Sequence, residues 1–204
     1  MFIVLEGLDG AGTTTQSRLL AEALRADGHA VHETREPSDG PVGVQIRQAL
    51  RSRVVRRGGD RLTPETIALL FAADRVDHVA DEVRPALDAG RIVVSDRYVH
   101  SSIAYQGSEL PVDWVVSINA RAPAADLVVF VDVPVETCLA RIDGRGEREL
   151  FERREFLEAV VARYEEAFTL RPDPVVRVDG SRSIDAVHEA IVAAVAGALP
   201  STMR

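Results

Sequence analysis

The sequence predicts an α/β fold: a five-stranded parallel sheet with helices on both faces. Three observations carry this expectation. Five short apolar runs recur along the chain, longer amphipathic stretches separate them, and the notable polar clusters fall just past the ends of the apolar runs. Strands buried on both faces read as continuous Val/Ile/Leu runs, and ligands of such sheets sit at the carboxyl ends of the strands. A chain of 204 residues suits one domain, and 46% hydrophobic with 27% charged residues supplies a large core.

Taken in order, Phe2 to Glu6 reads as a buried strand, followed by a Gly-rich turn and a helix from about Thr14 to Asp27 that Gly28 ends. Ala30 to Thr34 is a second strand, closed by Arg35-Glu36-Pro37. Val42 to Arg53 reads as a helix and Arg56 to Asp60 as an exposed turn. Thr63 caps and Pro64 opens a long helix, with Ile67, Leu70, Phe71, Asp74 and His78 at helical spacing, and Gly90 ends that helical region. Arg91 to Ser95 is the third strand and runs straight into Asp96-Arg97-Tyr98. Leu127 to Asp132 is the fourth, and Pro134-Val135-Glu136 starts the next helix. A segment dense in Arg, Glu and Gly from Arg141 to Arg154 precedes a helix to about Leu170, a fifth strand from Val175 to Val178 and a closing helix from Ile184 to Leu199.

Composition narrows the function classes. The formal net charge is -8, which argues against a surface built to grip a nucleic-acid backbone. The single cysteine, Cys138, forms no internal disulfide, so a reducing, cytoplasmic compartment is expected. The opening apolar run Met1 to Leu5 meets Glu6 at once, too short for a signal peptide or a membrane span, and no membrane association is expected. All 24 basic residues are arginine, so no lysine serves at any site.

The strongest local signal is Gly7-Leu8-Asp9-Gly10-Ala11-Gly12-Thr13-Thr14, between a strand and a helix. Small residues there let backbone N–H groups wrap an anion at a helix N-terminus. The usual pattern is G-x-x-x-x-G-K-[ST], and here Thr13 stands where lysine is expected. A Gly-rich turn without a ligand is the plainer reading of the loop alone. Its context favours a phosphate site and a P-loop NTPase-type three-layer fold. Thr14 sits where a hydroxyl ligates Mg²⁺, and Asp96 ends a buried strand as the acidic residue that orders Mg²⁺ does in P-loop enzymes.

Arginines supply the remaining charge. Arg47, Arg75 and Arg97 follow different elements and are expected to converge near the strand ends. Arg141, Arg145, Arg148, Arg153 and Arg154 crowd one segment, where Glu147, Glu149 and Glu152 suggest a solvated helix face but Gly144 and Gly146 favour a flap. Phosphoryl transfer needs such cations on its oxygens, and arginine binds them bidentately.

FIVLEGLDGAG-TTQ, TREP, LLFAADR, VVSDRYVHSSIAYQG and VFVDVPVETCLAR together resemble the thymidylate kinase family, from Phe2 to about Asp179. The resemblance implies one nucleoside monophosphate kinase domain over residues 1–204 with a flap at about 141–154. It also implies transfer of the γ-phosphoryl group of ATP to dTMP in dTTP biosynthesis, Mg²⁺ as cofactor, and a homodimer. Carried over by position, Gly7 to Thr15 and Arg141 hold ATP. Asp9 contacts the acceptor's sugar hydroxyl, and Arg47, Arg97 and Arg35 bind its phosphate beside the wall formed by Glu36-Pro37. Phe71 stacks on thymine, Arg75, Ser102 and Gln106 meet the base edge, and Tyr105 packs against the deoxyribose where it excludes a 2′-hydroxyl. Asp9, Arg97, Arg145 and Arg148 are the catalytic set, and Thr14 and Asp96 the metal set.

Thr13 departs from that pattern. The loop lysine normally follows the transferring phosphoryl group, and losing one such cation costs on the order of 3 kcal/mol, about a hundredfold in rate. Three outcomes stay open: a flap arginine takes over, the reaction runs slowly, or nucleotides bind without transfer. The first is favoured because the acceptor residues are intact; Arg18, one turn after Thr14, is a lesser candidate. Transfer to another deoxynucleoside monophosphate is the other enzymatic alternative.

Overall fold

The first strand, β1 (Phe2–Gly7), is buried along its whole length and lies at the centre of one sheet. In this computed structural model, which describes residues 1–143 and 154–199, β1 is joined by β2 (Val31–Arg35), β3 (Ile92–Asp96), β4 (Leu127–Asp132) and β5 (Val175–Asp179). Every pairing is parallel, as the sequence predicts, and the strand order is β2-β3-β1-β4-β5. Leu5 and Arg35 both pair with Asp96, so β2 and β3 end level and β1 runs two residues further, to Gly7. That register brings the Gly-rich loop, the Arg35-Glu36-Pro37 corner and Asp96-Arg97 to one edge.

The alternation of β1 splits the core in two. Ile3 and Leu5, with Val94 and Val129, pack on α1 (Thr13–Ala26) and α9 (Ile184–Ala198) through Leu20, Leu24, Val187 and Ile191. Phe2 and Val4, with Val93 and Val128, pack on α5 (Val99–Gln106) and α6 (Val112–Ile118) through Val99, Ile103 and Val115. Glu6 continues the Phe2–Val4 face, a carboxylate placed in line with core residues. The remaining helices are α2 (Pro41–Leu50), α3 (Pro64–His78), α4 (Arg84–Asp88), α7 (Val135–Asp143) and α8 (Arg154–Leu170).

Local signals explain most boundaries. Thr63 accepts from Thr66 N and Pro64 takes the first helical position of α3. Gly28 and Gly90 adopt φ of 90° and 73° at the ends of α1 and α4. The long helix differs from expectation at one point: a π turn over Val79–Val83 separates α3 from α4. Pro85 explains it, because its ring removes one N–H and crowds the preceding turn. The second helix stops at Leu50 rather than Arg53, since Ser52 turns to φ 56°. α5 was not anticipated because nearly every residue in it is buried, which erases a helical period. Most of the expected flap, residues 144–153, lies outside the described residues.

Gly43 in α2 abuts the corner after β2: a Cβ there would sit 2.0 Å from the Ser38 carbonyl oxygen. Gly→Ala in a helix ordinarily stabilises by about 1 kcal/mol; here Gly43→Ala is expected to destabilise by about 2 kcal/mol, read as a lower urea midpoint.

Candidate active site

The Gly-rich loop leaves β1 and ends at α1. Gly10 and Gly12 hold φ of 84° and 96°, and a Cβ on Gly10 would come within 2.5 Å of the Cys138 carbonyl oxygen in α7. Only glycine fits a left-handed residue pressed on backbone. The first turn of α1 carries no side-chain cap and no acidic residue, so its N–H groups face outward as an anion site. Thr13 is buried, with its methyl turned toward Gly7. Thr14 is exposed and its hydroxyl donates to Asp96 Oδ2 at 2.5 Å.

Asp96 Oδ1 is buried and has no hydrogen-bond partner among the described residues. A hydroxyl and an under-satisfied carboxylate are hard oxygen donors of the kind Mg²⁺ takes when phosphates and waters complete its shell. The described residues hold no cluster of three or more His, Cys, Asp or Glu, so the set fits an ion shared with a ligand rather than a protein cage.

Beside the loop lies a cleft of about 130 Å³ whose lining includes Asp9, Glu36, Pro37, Phe71, Arg75, Arg97, Ser102, Tyr105 and Gln106. Its outer wall, the corner after β2, contains a cis Glu36-Pro37 bond. Two adjacent residues of α3 hold that corner. Asp74 accepts from Ser38 N at 2.7 Å and from Ser38 Oγ at 2.6 Å. Arg75 meets Glu36 Oε2 at 2.6 Å, donates to Ser102 Oγ at 2.9 Å, and also donates to Asn119 Oδ1. Glu36 Oε1 lies 3.2 Å from His78 Nδ1. Asp74, Arg75 and Glu36 are all buried, and burial is tolerated because Arg75 and Glu36 pair with each other and Asp74 accepts two hydrogen bonds from Ser38. Phe71 packs half-buried at the rim, and Gln106 Oε1 is a buried acceptor with no partner among the described residues.

The boundary between loop and cleft is made by Arg97. Its φ of 71° is left-handed, a costly conformation for arginine that turns the chain away from β3. One guanidinium nitrogen donates to Gly7 O at 2.7 Å and to Ser101 Oγ at 3.1 Å; the other donates to Asp9 Oδ1 at 2.6 Å. The group also lies over the Tyr105 ring, 5.4 Å from its centroid, and Tyr105 Oη accepts from Asp9 N at 2.8 Å. Burial opposes its charge, but Tyr105, Asp9, Tyr164 and Asp96 push its pKa well up. Burial raises the pKa of the Tyr105 hydroxyl, so it stays neutral. Behind Arg97 sits Glu6, fully buried, whose pKa burial pushes up to about 7.

A second cleft, about 200 Å³, opens on the other side of the loop between Gly10, Ala11, Gly12, Thr15, Arg141, Gly180 and Arg182. Arg141 donates to Gly10 O and Ala11 O at 3.3 Å and to Gly180 O at 3.2 Å, so its plane is fixed beside this opening. Cys138 beneath the loop is buried, and burial pushes its thiol up to about 11.

Of the acceptor-side residues expected from the sequence, all but Arg47 and Arg35 line the first cleft. Arg47 lies behind its wall, donating to Pro37 O at 2.8 Å and Ser38 O at 2.7 Å. Arg35 pairs with Asp39, and Arg18 turns along α1 to Glu22. Arg145 and Arg148 lie outside the described residues. Sequence reasoning missed Glu6, Asp74, Ser101 and Tyr164 as site residues. A carboxylate closing an apolar strand, and an acid next to Arg75, were the signals available.

Residues 5–191 match the family model described as thymidylate kinase. A "Probable thymidylate kinase" of Caldivirga maquilingensis is 40% identical over 189 residues, 92% of this chain and 89% of that protein. One of Thermococcus onnurineus is 40% identical over 203 residues, covering 96% of this chain and 97% of its own length. One of Pyrobaculum calidifontis is 39% identical over 206 residues and covers the full length of both.

Removing the Asp74 carboxylate strands the buried Ser38 N–H. Asp74→Ala is expected to lower unfolding free energy by about 2–3 kcal/mol in urea titration, well beyond the effect of an exposed carboxylate such as Asp88.

Proposed function

The chain belongs to the thymidylate kinase family, and from that premise we propose how its clefts perform the family's reaction. The protein is an ATP:dTMP phosphotransferase: it phosphorylates dTMP to dTDP with ATP. Arg97 lines the first cleft and donates to Gly7 O and Asp9 Oδ1 of the Gly-rich loop, which supports a fixed cation where two phosphates must meet.

In this reading ATP lies over the uncapped start of α1, with Gly7 to Thr15 around its phosphates and its base in the opening beside Arg141. dTMP enters the other cleft. Phe71 stacks on thymine, and Gln106 Oε1, without a partner among the described residues, accepts from the base's ring N–H. Ser102 and Arg75 form the polar floor, although Arg75 acts chiefly by holding Glu36 and so the wall. Tyr105, pinned to Asp9 N, closes the sugar side where a 2′-hydroxyl would clash, and Asp9 takes the 3′-hydroxyl. Arg97 holds the acceptor phosphate in line with the γ-phosphate, and Arg47 keeps the corner shut from behind. Transfer is then mostly positioning and charge stabilisation. Thr14 and Asp96 would hold Mg²⁺, which when bound would offset negative charge on the phosphate oxygens.

The missing lysine charge is assigned to the flap, with Arg145 and Arg148 as its donors. Arg18 is spent on Glu22, Arg141 on loop carbonyls, and Thr13 is neutral and buried. We also infer a homodimer, supported by Leu69 and Val76, seven residues apart on α3 and 50% and 53% exposed. A cytoplasmic site is supported by the free Cys138. No helix among the described residues is long and apolar enough to cross a membrane.

Purified protein given ATP, Mg²⁺ and separately dTMP, dUMP, CMP or dGMP is expected to form ADP and diphosphate fastest with dTMP; equal rates for dTMP and CMP would refute the acceptor assignment. Arg97→Ala is expected to lower kcat/KM for dTMP by roughly 10²–10³-fold. Thr13→Lys is expected to raise turnover or leave it unchanged, and a collapse would give Thr13 a role of its own.

A further inference from the structure

Glu6 is a buried carboxylate that none of the roles above uses. It rises from the carboxyl end of β1 on the face shared with Phe2 and Val4, and no part of it reaches solvent. Its two oxygens have different partners. Oε1 accepts from Tyr98 N at 2.9 Å and from Ser101 N at 3.1 Å. These N–H groups belong to the start of α5, which no side chain of its own caps, so Glu6 caps that helix from another element. Oε2 accepts from Ser101 Oγ at 2.5 Å and lies 3.0 Å from Tyr164 Oη, whose one proton it shares with Gly7 O at the same distance.

Both hydroxyl oxygens also face Arg97. Its Nη1 lies 3.1 Å from Ser101 Oγ and 3.4 Å from Tyr164 Oη. Ser101 has one proton, and at 2.5 Å it goes to Glu6, which leaves the oxygen free to accept from Arg97. Arg97 therefore stands between two carboxylates, Asp9 directly and Glu6 through hydroxyls. We propose that Glu6 is a positioning residue for the acceptor phosphate: its ionised form anchors the inner side of Arg97 through Ser101 and Tyr164 and so sets how well dTMP is held. This rests on the assignment of Arg97 to that phosphate.

A proton arriving on Glu6 must settle on Oε2, because Oε1 is committed to two backbone donors. That proton points at Ser101 or Tyr164 and crowds the oxygens Arg97 donates to, while the inner counter-charge disappears. Hydrogen bonds polarised by a charge are about twice as strong as neutral ones, so the anchor weakens. The groups facing Glu6 are Tyr98 and Arg97 after β3, Ser101 of α5 and Tyr164 of α8. Asp9 of the loop, Asp96 of β3 and Tyr105 of α5 lie around Arg97 in turn. Phe130, its partner across β4, is apolar. Burial raises the Glu6 pKa from 4.5 to about 7, so the ionised form dominates only in mildly alkaline solution. A raised carboxylate pKa favours folding below 4.5 and loses that contribution as pH rises through 7, so the charge works against stability where it serves binding.

The test is kcat/KM for dTMP of wild type and Glu6→Gln between pH 6 and 8.5, as a ratio at each pH so that titration of dTMP itself cancels. The expected ratio is about tenfold at pH 8.5, mostly in KM for dTMP with KM for ATP unchanged, narrowing to about twofold at pH 6. Melting temperature at pH 8.5 is expected at or above wild type. A ratio that stays constant with pH, or no loss at pH 8.5, overturns the proposal. Tyr164→Phe keeps the carboxylate and removes one hydroxyl; a several-fold rise in KM for dTMP at pH 8.5 is expected, and an unchanged KM overturns the relay. If Arg97→Ala leaves KM for dTMP unchanged, the reading of Arg97 fails; if Arg97→Ala is defective and the Glu6 ratio is flat, only this proposal fails.

Discussion

The contact between Arg97 and Asp9 is the constraint on which the rest of the site depends. It joins the end of β3 to the loop after β1, two neighbouring strands of the sheet, at the point where the Gly-rich loop meets the first cleft. Because these strands are hydrogen-bonded and β1 runs only two residues past the level of Asp96, a side chain just past Asp96 needs only a sharp turn to reach the loop. The left-handed backbone at Arg97 makes that turn. Strain of this kind persists where surrounding structure over-determines it, and here five contacts to Gly7, Asp9, Ser101, Tyr105 and Tyr164 do so.

The same logic extends along the cleft. Asp74 and Arg75 are neighbours in α3, yet they hold two parts of one corner, Ser38 and Glu36. A buried ion pair adds little net stability against a well-packed apolar substitute, but breaking one member is costly. The pairs therefore fix geometry more than they raise stability. Rigid walls matter because transfer between two phosphates depends on placing an acceptor oxygen against the γ-phosphate and keeping it there. Thr13 removes one charge from this arrangement without loosening it, since the loop is shaped by Gly10, Gly12 and Arg141 rather than by residue 13.

Much of this was legible in the sequence. The five strands lie within a residue or two of their expected limits because buried parallel strands are continuous apolar runs. The loop, Thr14 and Asp96 were readable from spacing alone. Phe71, Tyr105 and Gln106 became readable only as parts of longer motifs. What was hidden falls into two kinds. α5 carries no period because it is buried on nearly all sides, and its cap comes from Glu6, more than 90 positions away. Arg47 and Asp74 act on backbone groups of a corner whose path no local pattern specifies. Contacts between residues distant in sequence leave no spacing to read, and the site is made largely of them.

The central claim is that an intact, rigid acceptor site transfers a phosphoryl group beside a loop that lacks lysine. A single-turnover rapid-quench experiment tests this most directly, with protein in excess over labelled ATP and dTMP and Mg²⁺ saturating. Conversion of the bound ATP to ADP with matching dTDP in the first turnover is the predicted result. Binding of both nucleotides with no dTDP formed would contradict it.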